Sequence, residues 1–121
     1  MRELRIIVAC ADSERLRAAL VTASAQAALG GKAAVFLQLD AVALLRAPIA
    51  ARLDEAHEAA GLPTLALLLE DAVALGVALF ACQSGLALSN LSASDLPKGV
   101  EMSGPIAFLQ QTSGDARLLF A

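Results

Sequence analysis

LRIIVACADSERLRAALVTASAQAALGGKAAVFLQL, residues 4–39, decides the fold. Its first part, Leu4 to Ala9, is apolar except for Arg5 and rich in β-branched residues, which reads as a buried strand running into a loop. Asp12 stands where a helix cap is needed, and Leu16, Leu20, Ala23 and Ala27 then recur at helical spacing until Gly30 and Gly31 stop the pattern. Ala33 to Leu39 is a second short apolar run, with Val35 and Phe36 favouring a strand. A strand, a helix and a strand in that order form a parallel crossover unit, because parallel neighbours need a long connection.

The same rhythm continues downstream. After Asp40 come a short apolar segment, Val42 to Leu45, and a helical region, Ala50 to Ala60, in which Leu53, His57 and Ala60 share one face before Gly61. Pro63 suits the first turn of a helix that runs from Thr64 to Leu75 and stops at Gly76. Val77 to Ala81 reads as a third buried strand, and a small-residue stretch from Ser84 to Asn90 follows. A turn at Pro97-Lys98-Gly99, a short segment Val100 to Met102, a helix near Ile106 to Gln111 and a last strand Ala116 to Phe120 complete the chain. No linker, repeat or charge block divides residues 1–121, a length suited to one domain. The expected architecture is a single-domain α/β sandwich with a central, mostly parallel sheet of about five strands and helices on both faces.

Composition narrows the function. With 58% hydrophobic and 17% charged residues, few aromatics and no Trp or Tyr, the core is expected to be aliphatic, and polar surface is scarce. A chain with so little charge is expected to cover part of its apolar surface by forming a homo-oligomer. Nine Lys and Arg against twelve Asp and Glu, a net charge of −3, give no basic footprint for nucleic acid. Neither apolar run reads as membrane-inserting or exported. Only Ile6 to Ala9 stand between Arg5 and Cys10, where a signal peptide needs an apolar core of ~7–15 residues. Leu62 to Cys82 carries Glu70 and Asp71 at its middle, each costing about 2.5–3.5 kcal/mol at a bilayer centre. Two cysteines are too few for a secreted disulfide framework, so a cytoplasmic protein with free thiols is expected.

The chemistry-bearing residues are few. One His and two Cys cannot close a zinc site alone, so no metal is expected. The loop Cys10-Ala11-Asp12-Ser13-Glu14 lacks the glycines of a dinucleotide or phosphate cradle, so no cofactor is expected either. Cys82-Gln83-Ser84-Gly85-Leu86 is not a nucleophile elbow. In parallel α/β folds reactive groups gather beyond the carboxyl ends of the strands, where both Cys10 and Cys82 stand. Cys82 is the stronger candidate, because a thiol between a strand and a following helix meets the helix's positive end, which favours thiolate; Ser84 could cap that helix. The alternative is a small buried hydrophobe, a common fate of free cysteine. Cys10 has the same two readings. Asp12 reads first as a helix cap and second as a group polarising a ligand in the crevice. His57 reads as a helix-surface residue, with an inward acid–base role as the alternative.

Leu75-Gly76-Val77-Ala78-Leu79-Phe80-Ala81-Cys82-Gln83-Ser84, followed by Leu96, Gly99-Val100-Glu101, Gly104 and Phe108-Leu109, resembles the DsrE-like family of sulfur-relay proteins, particularly its small stand-alone members. The amino-terminal part agrees: Asp12-Ser13-Glu14-Arg15-Leu16 opening an alanine-rich helix, then Leu29-Gly30-Gly31-Lys32 before Val35-Phe36-Leu37, is similar to the family's first crossover. The resemblance implies an α/β fold, oligomeric assembly, and a role for Cys82 as the persulfide carrier between a sulfur donor and an acceptor thiol protein. Gln83 and Ser84 would then orient the substrate sulfur, with Cys10 and Asp12 as further candidate substrate contacts. A non-catalytic oligomeric module that binds a small ligand in the same crevice is the alternative from a different class.

Overall fold

A computed structural model describes residues 1–121. Five strands, β1 (Leu4–Val8), β2 (Ala33–Leu37), β3 (Ala78–Cys82), β4 (Val100–Ser103) and β5 (Arg117–Phe120), form one sheet in the order β4-β3-β2-β1-β5. Every neighbouring pair is parallel. The expected mostly parallel sheet is thus wholly parallel, as crossovers at each step require.

The helices are α1 (Ser13–Ala28), α2 (Asp54–Ala59), α3 (Leu65–Ala74), α4 (Gln83–Leu88) and α5 (Pro105–Gln110). Asp12 caps α1, its Oδ1 accepting from the Glu14 and Arg15 backbone N–H groups, and Gly30 ends it with φ 88°, a conformation that costs a residue with a Cβ. Leu16, Leu20 and Ala23 bring the apolar face of α1 fully out of solvent against β1, β2 and α3. Because β1 to β4 step in one direction through right-handed crossovers, α1 and α3 share a face, and the return from β4 to β5 carries α5 over the other. β1 and β2 are buried at all five positions, as strands covered on both faces should be.

The core is aliphatic on the α1 side, but three phenylalanines gather under α5. Phe108 stacks on Phe36 with ring centroids 4.9 Å apart and meets Phe80 edge-on at 6.1 Å. Arg5, the charge that interrupts the first apolar run, lies on this face at 4% exposure. Its guanidinium sits 4.0 Å from the Phe108 ring centroid and donates to the Phe108 carbonyl oxygen, while Glu3 pairs with it from the side. The buried cation is thereby met by a ring face, a carbonyl at the end of a helix and a carboxylate, while its buried Nε has no hydrogen-bond partner.

The segment between β2 and α3 departs most from the pattern read in the sequence. Leu39–Leu45 forms a 3₁₀ helix, and Ala50 to Ala60 contributes only the short α2, none of whose residues is buried. Leu53 has φ 73° and precedes the helix, so it shares no helical face with His57 and Ala60. What holds α2 is polar. Arg17, 5% exposed, donates to Glu14 at 2.7 Å, to Asp54 at 2.9 Å and to the Pro63 carbonyl oxygen at 3.1 Å. His57 Nε2 lies 2.8 Å from Glu14 Oε1. Pro63 lies just outside α3, because Thr64 is the cap and accepts from the Leu67 N–H. No helix is long and apolar enough to cross a membrane.

Candidate functional site

The carboxyl edge of the sheet is where side chains leave the ladder and can meet a ligand. Cys82 is the last residue of β3 and at the same time the N-cap of α4, with no side chain capping that helix. Ser84 lies two residues further on, at the second helical position, and is exposed, as is Gln83; Ser84 does not cap the helix. Across the β3–β4 ladder Cys82 stands in register with Ser103, and on the other side Gln38 continues β2 beyond Leu37, the partner of Ala81. Strand alternation puts Cys82 on the same face as Phe80, the face over which α5 begins at Pro105. Cys82 is 2% exposed; Gln38 and Ser103 beside it are half-buried.

Two devices fix α4, and with it the direction in which Cys82 leaves the strand. Gly85 approaches the 3₁₀ segment so closely that a methyl group there would run into the Leu39 carbonyl oxygen and the Val42 side chain. Leu39 itself has φ 53°, an uncommon conformation for a leucine, at the point where β2 turns into the 3₁₀ helix. At the other end Arg46 donates to the carbonyl oxygen of Ser89, the C-cap of α4, placing a cation where the helix exposes acceptors.

Cys10 and Asp12 belong to a different part of the edge. β2 lies between β1 and β3, so the ends of those two strands are roughly 9–10 Å apart at spacings of about 4.8 Å, and Cys10 stands in the loop two residues beyond the end of β1. Asp12 is engaged as the cap of α1 and borders a shallow pocket with Ala11, Ser13, Leu44, Ala51 and Arg52. The five candidates therefore fall into two groups: Cys82, Gln83 and Ser84 around one strand end, Cys10 and Asp12 around another. Gln38 and Ser103, which flank Cys82 in space, went unremarked in the sequence. The available signal for Gln38 was that it is the first polar residue after the apolar run of β2; Ser103 follows Glu101 within β4 and carried no such signal. Nothing local, however, says that β2 and β4 are the neighbours of β3.

Titratable groups with shifted affinity lie away from Cys82. Hydrogen bonds from His57 and then Arg17 hold the Glu14 carboxyl below its ordinary range. Burial pushes Asp54 upward, but the Ala51 N–H, Arg17 and the Leu65 N–H outweigh it and leave the carboxyl lowered. These groups form a clamp between α1, α2 and the start of α3. No three His, Cys, Asp or Glu side chains converge in a geometry that could hold a metal ion.

Comparison with known proteins returns one family and a matching fold. The model of the DsrE/DsrF-like family matches residues 5–120. The structure is similar to the crystal structure of the YchN protein from E. coli, with a TM-score of 0.78 and 24% sequence identity over 100% of both chains. No curated protein matches the chain in sequence.

Proposed function

Because the chain belongs to the DsrE/DsrF-like family, we propose that it is a cytoplasmic sulfur-relay protein that carries persulfide sulfur on Cys82. The observation that supports this most is the position of Cys82 at the carboxyl end of β3 and the start of α4, beside Ser103 and Gln38. The uncapped N–H groups in the first turn of α4 and the polar groups of Gln38 and Ser103, in register beside Cys82, are the donors this reading assigns to an anionic sulfur.

Transfer is a pair of displacements. The Cys82 thiolate attacks the outer sulfur of a donor persulfide; the donor S–S bond breaks, the donor leaves as a thiolate, and Cys82-S-SH forms. An acceptor thiolate then attacks that outer sulfur and expels the Cys82 thiolate. One sulfur atom moves and no external oxidant or reductant is consumed. At 2% exposure Cys82 reacts through local opening of the edge or with donors small enough to enter it.

The same low exposure supports a second reading, an oligomeric ligand-binding module in which Cys82 is only packed. Alkylation of the single-cysteine variants Cys10→Ser and Cys82→Ser across pH separates the two. The relay reading expects Cys82 to label in the folded protein, at a rate that rises as the thiol ionises. Labelling of Cys82 only after denaturation makes it a core residue and ends the proposal.

A further inference from the structure

The third crossover of the sheet is built differently from the first two. The 16-residue α1 and the 10-residue α3 fill the first two, whereas between β3 and β4 the six-residue α4 stays at the carboxyl end, against the 3₁₀ segment. The chain then returns to β4 with a single short 3₁₀ turn, Ala93–Asp95. The β3–β4 part of this face, beside α3, is left without a helix of its own. Leu79 and Val100 stand in register there, on the side of the sheet opposite Phe80 and Cys82. Buried at 1% and 9% exposure, they form the floor of a cavity of about 400 Å³, a size in the range of small-molecule sites.

One wall of this cavity is the face of α3 that carries Ala66, Leu69, Glu70 and Val73, four residues at the spacing of a single helix face. Ile49 closes a second side, and Leu96 and Pro97 of the returning chain close a third. Gly99 pins that return in place. Its φ of 89° favours glycine, and a Cβ there would run into the Val73 side chain, so the turn that carries Lys98 packs directly on α3.

The charged residues that border the cavity are Glu70, Asp95 and Lys98. Asp95 is engaged, its Oδ2 accepting from the N–H and the hydroxyl of Ser92. Glu70 and Lys98 are exposed and form no ion pair, either with each other or with another residue. An apolar cavity bordered by one free anion and one free cation is complementary to a molecule with an apolar body and both charges on one head group. A plain carboxylate would meet Lys98 but also face Glu70 and Asp95. A plain amine would meet the carboxylates but face Lys98. We propose that the cavity binds a free α-amino acid with an aliphatic side chain, the side chain lying on Leu79 and Val100, the ammonium directed to Glu70 and the carboxylate to Lys98. The site lies on the other face of the sheet from Cys82 and is independent of the sulfur chemistry proposed there.

Leucine is the probe. Titrated into the whole chain and followed by heteronuclear NMR, it should give saturable shifts with a Kd of about 1 mM or below, largest at Val73, Leu79 and Val100 and absent at Cys82. Isocaproate, isoamylamine and glycine lack the ammonium, the carboxylate and the side chain in turn, and each should bind about tenfold more weakly or worse. Glu70→Gln should remove the preference for leucine over isocaproate, and Lys98→Met the preference over isoamylamine. Ala66→Phe fills the cavity and should abolish the shifts. The absence of saturable shifts at millimolar leucine overturns the proposal. So does equal binding of any of the three analogues, binding that Glu70→Gln and Lys98→Met both leave unchanged, shifts centred away from the cavity, or occupation of the cavity by a segment of another chain. Should Ala66→Phe not fold, the two substitutions at the exposed charges decide.

Discussion

Cys82 ends β3, whereas Cys10 stands two residues beyond the end of β1, and the whole of β2 lies between those two strands. Two strand spacings exceed the Cα separation of about 7 Å beyond which a disulfide cannot close without backbone movement. Mild oxidation followed by non-reducing peptide mapping should therefore find no intramolecular Cys10–Cys82 link. Such a link in good yield would mean that the carboxyl edge rearranges by several ångströms.

Gly85 is expected to matter beyond its size. Gly85→Val places a side chain against the Leu39 carbonyl oxygen and Val42 and must push α4 outward. Overpacking of this kind costs about 1–3 kcal/mol, readable as a lower urea midpoint. Because α4 starts at Cys82, native-state alkylation of Cys82 should change rate while that of Cys10 stays constant. Equal effects on both thiols would show that α4 does not set the position of Cys82.

Phe108 ties α5 to the sheet through Phe36, Phe80 and Arg5. Phe108→Ala leaves a cavity beneath α5 and a buried guanidinium without its ring, a loss of about 3–5 kcal/mol by denaturant unfolding. A loss below about 1 kcal/mol would mean that α5 collapses onto the sheet to fill the space.

Acid should loosen the clamp around α2. Glu14 and Asp54 have lowered affinity for protons in the folded chain, so their contribution is fully present above their ordinary titration range and is lost as pH falls through the lower, folded values. Thermal stability should decline from about pH 5 downward. Glu14→Gln should shrink that decline while leaving stability near neutrality less affected than Arg17→Met does. A pH profile unchanged by Glu14→Gln would remove Glu14 from the account.

Much of the fold was legible because period and punctuation agree along the chain. The fully apolar runs at Ile6 to Val8 and Ala33 to Leu37 can be strands only if both faces are covered, and Gly30 and Gly76 end helices where the pattern stops. The segment around α2 was not legible, because its contacts are long-range and polar: Arg17, Glu14 and Asp54 are ordinary surface residues until the chain brings them within hydrogen-bonding distance. At the candidate site the position of Cys82 was readable from the end of an apolar run. Its companions Gln38 and Ser103 were not, since strand order is a property of the whole sheet. The same is true of the separation of Cys10 from Cys82.

The relay reading stands or falls on whether Cys82 takes up sulfur. Intact mass of the protein purified without reductant, then incubated with a persulfide donor, reads this directly. The account predicts an added mass of one sulfur that reductant removes, that Cys10→Ser retains and that Cys82→Ser abolishes. No adduct, or an adduct that survives in Cys82→Ser, would contradict it.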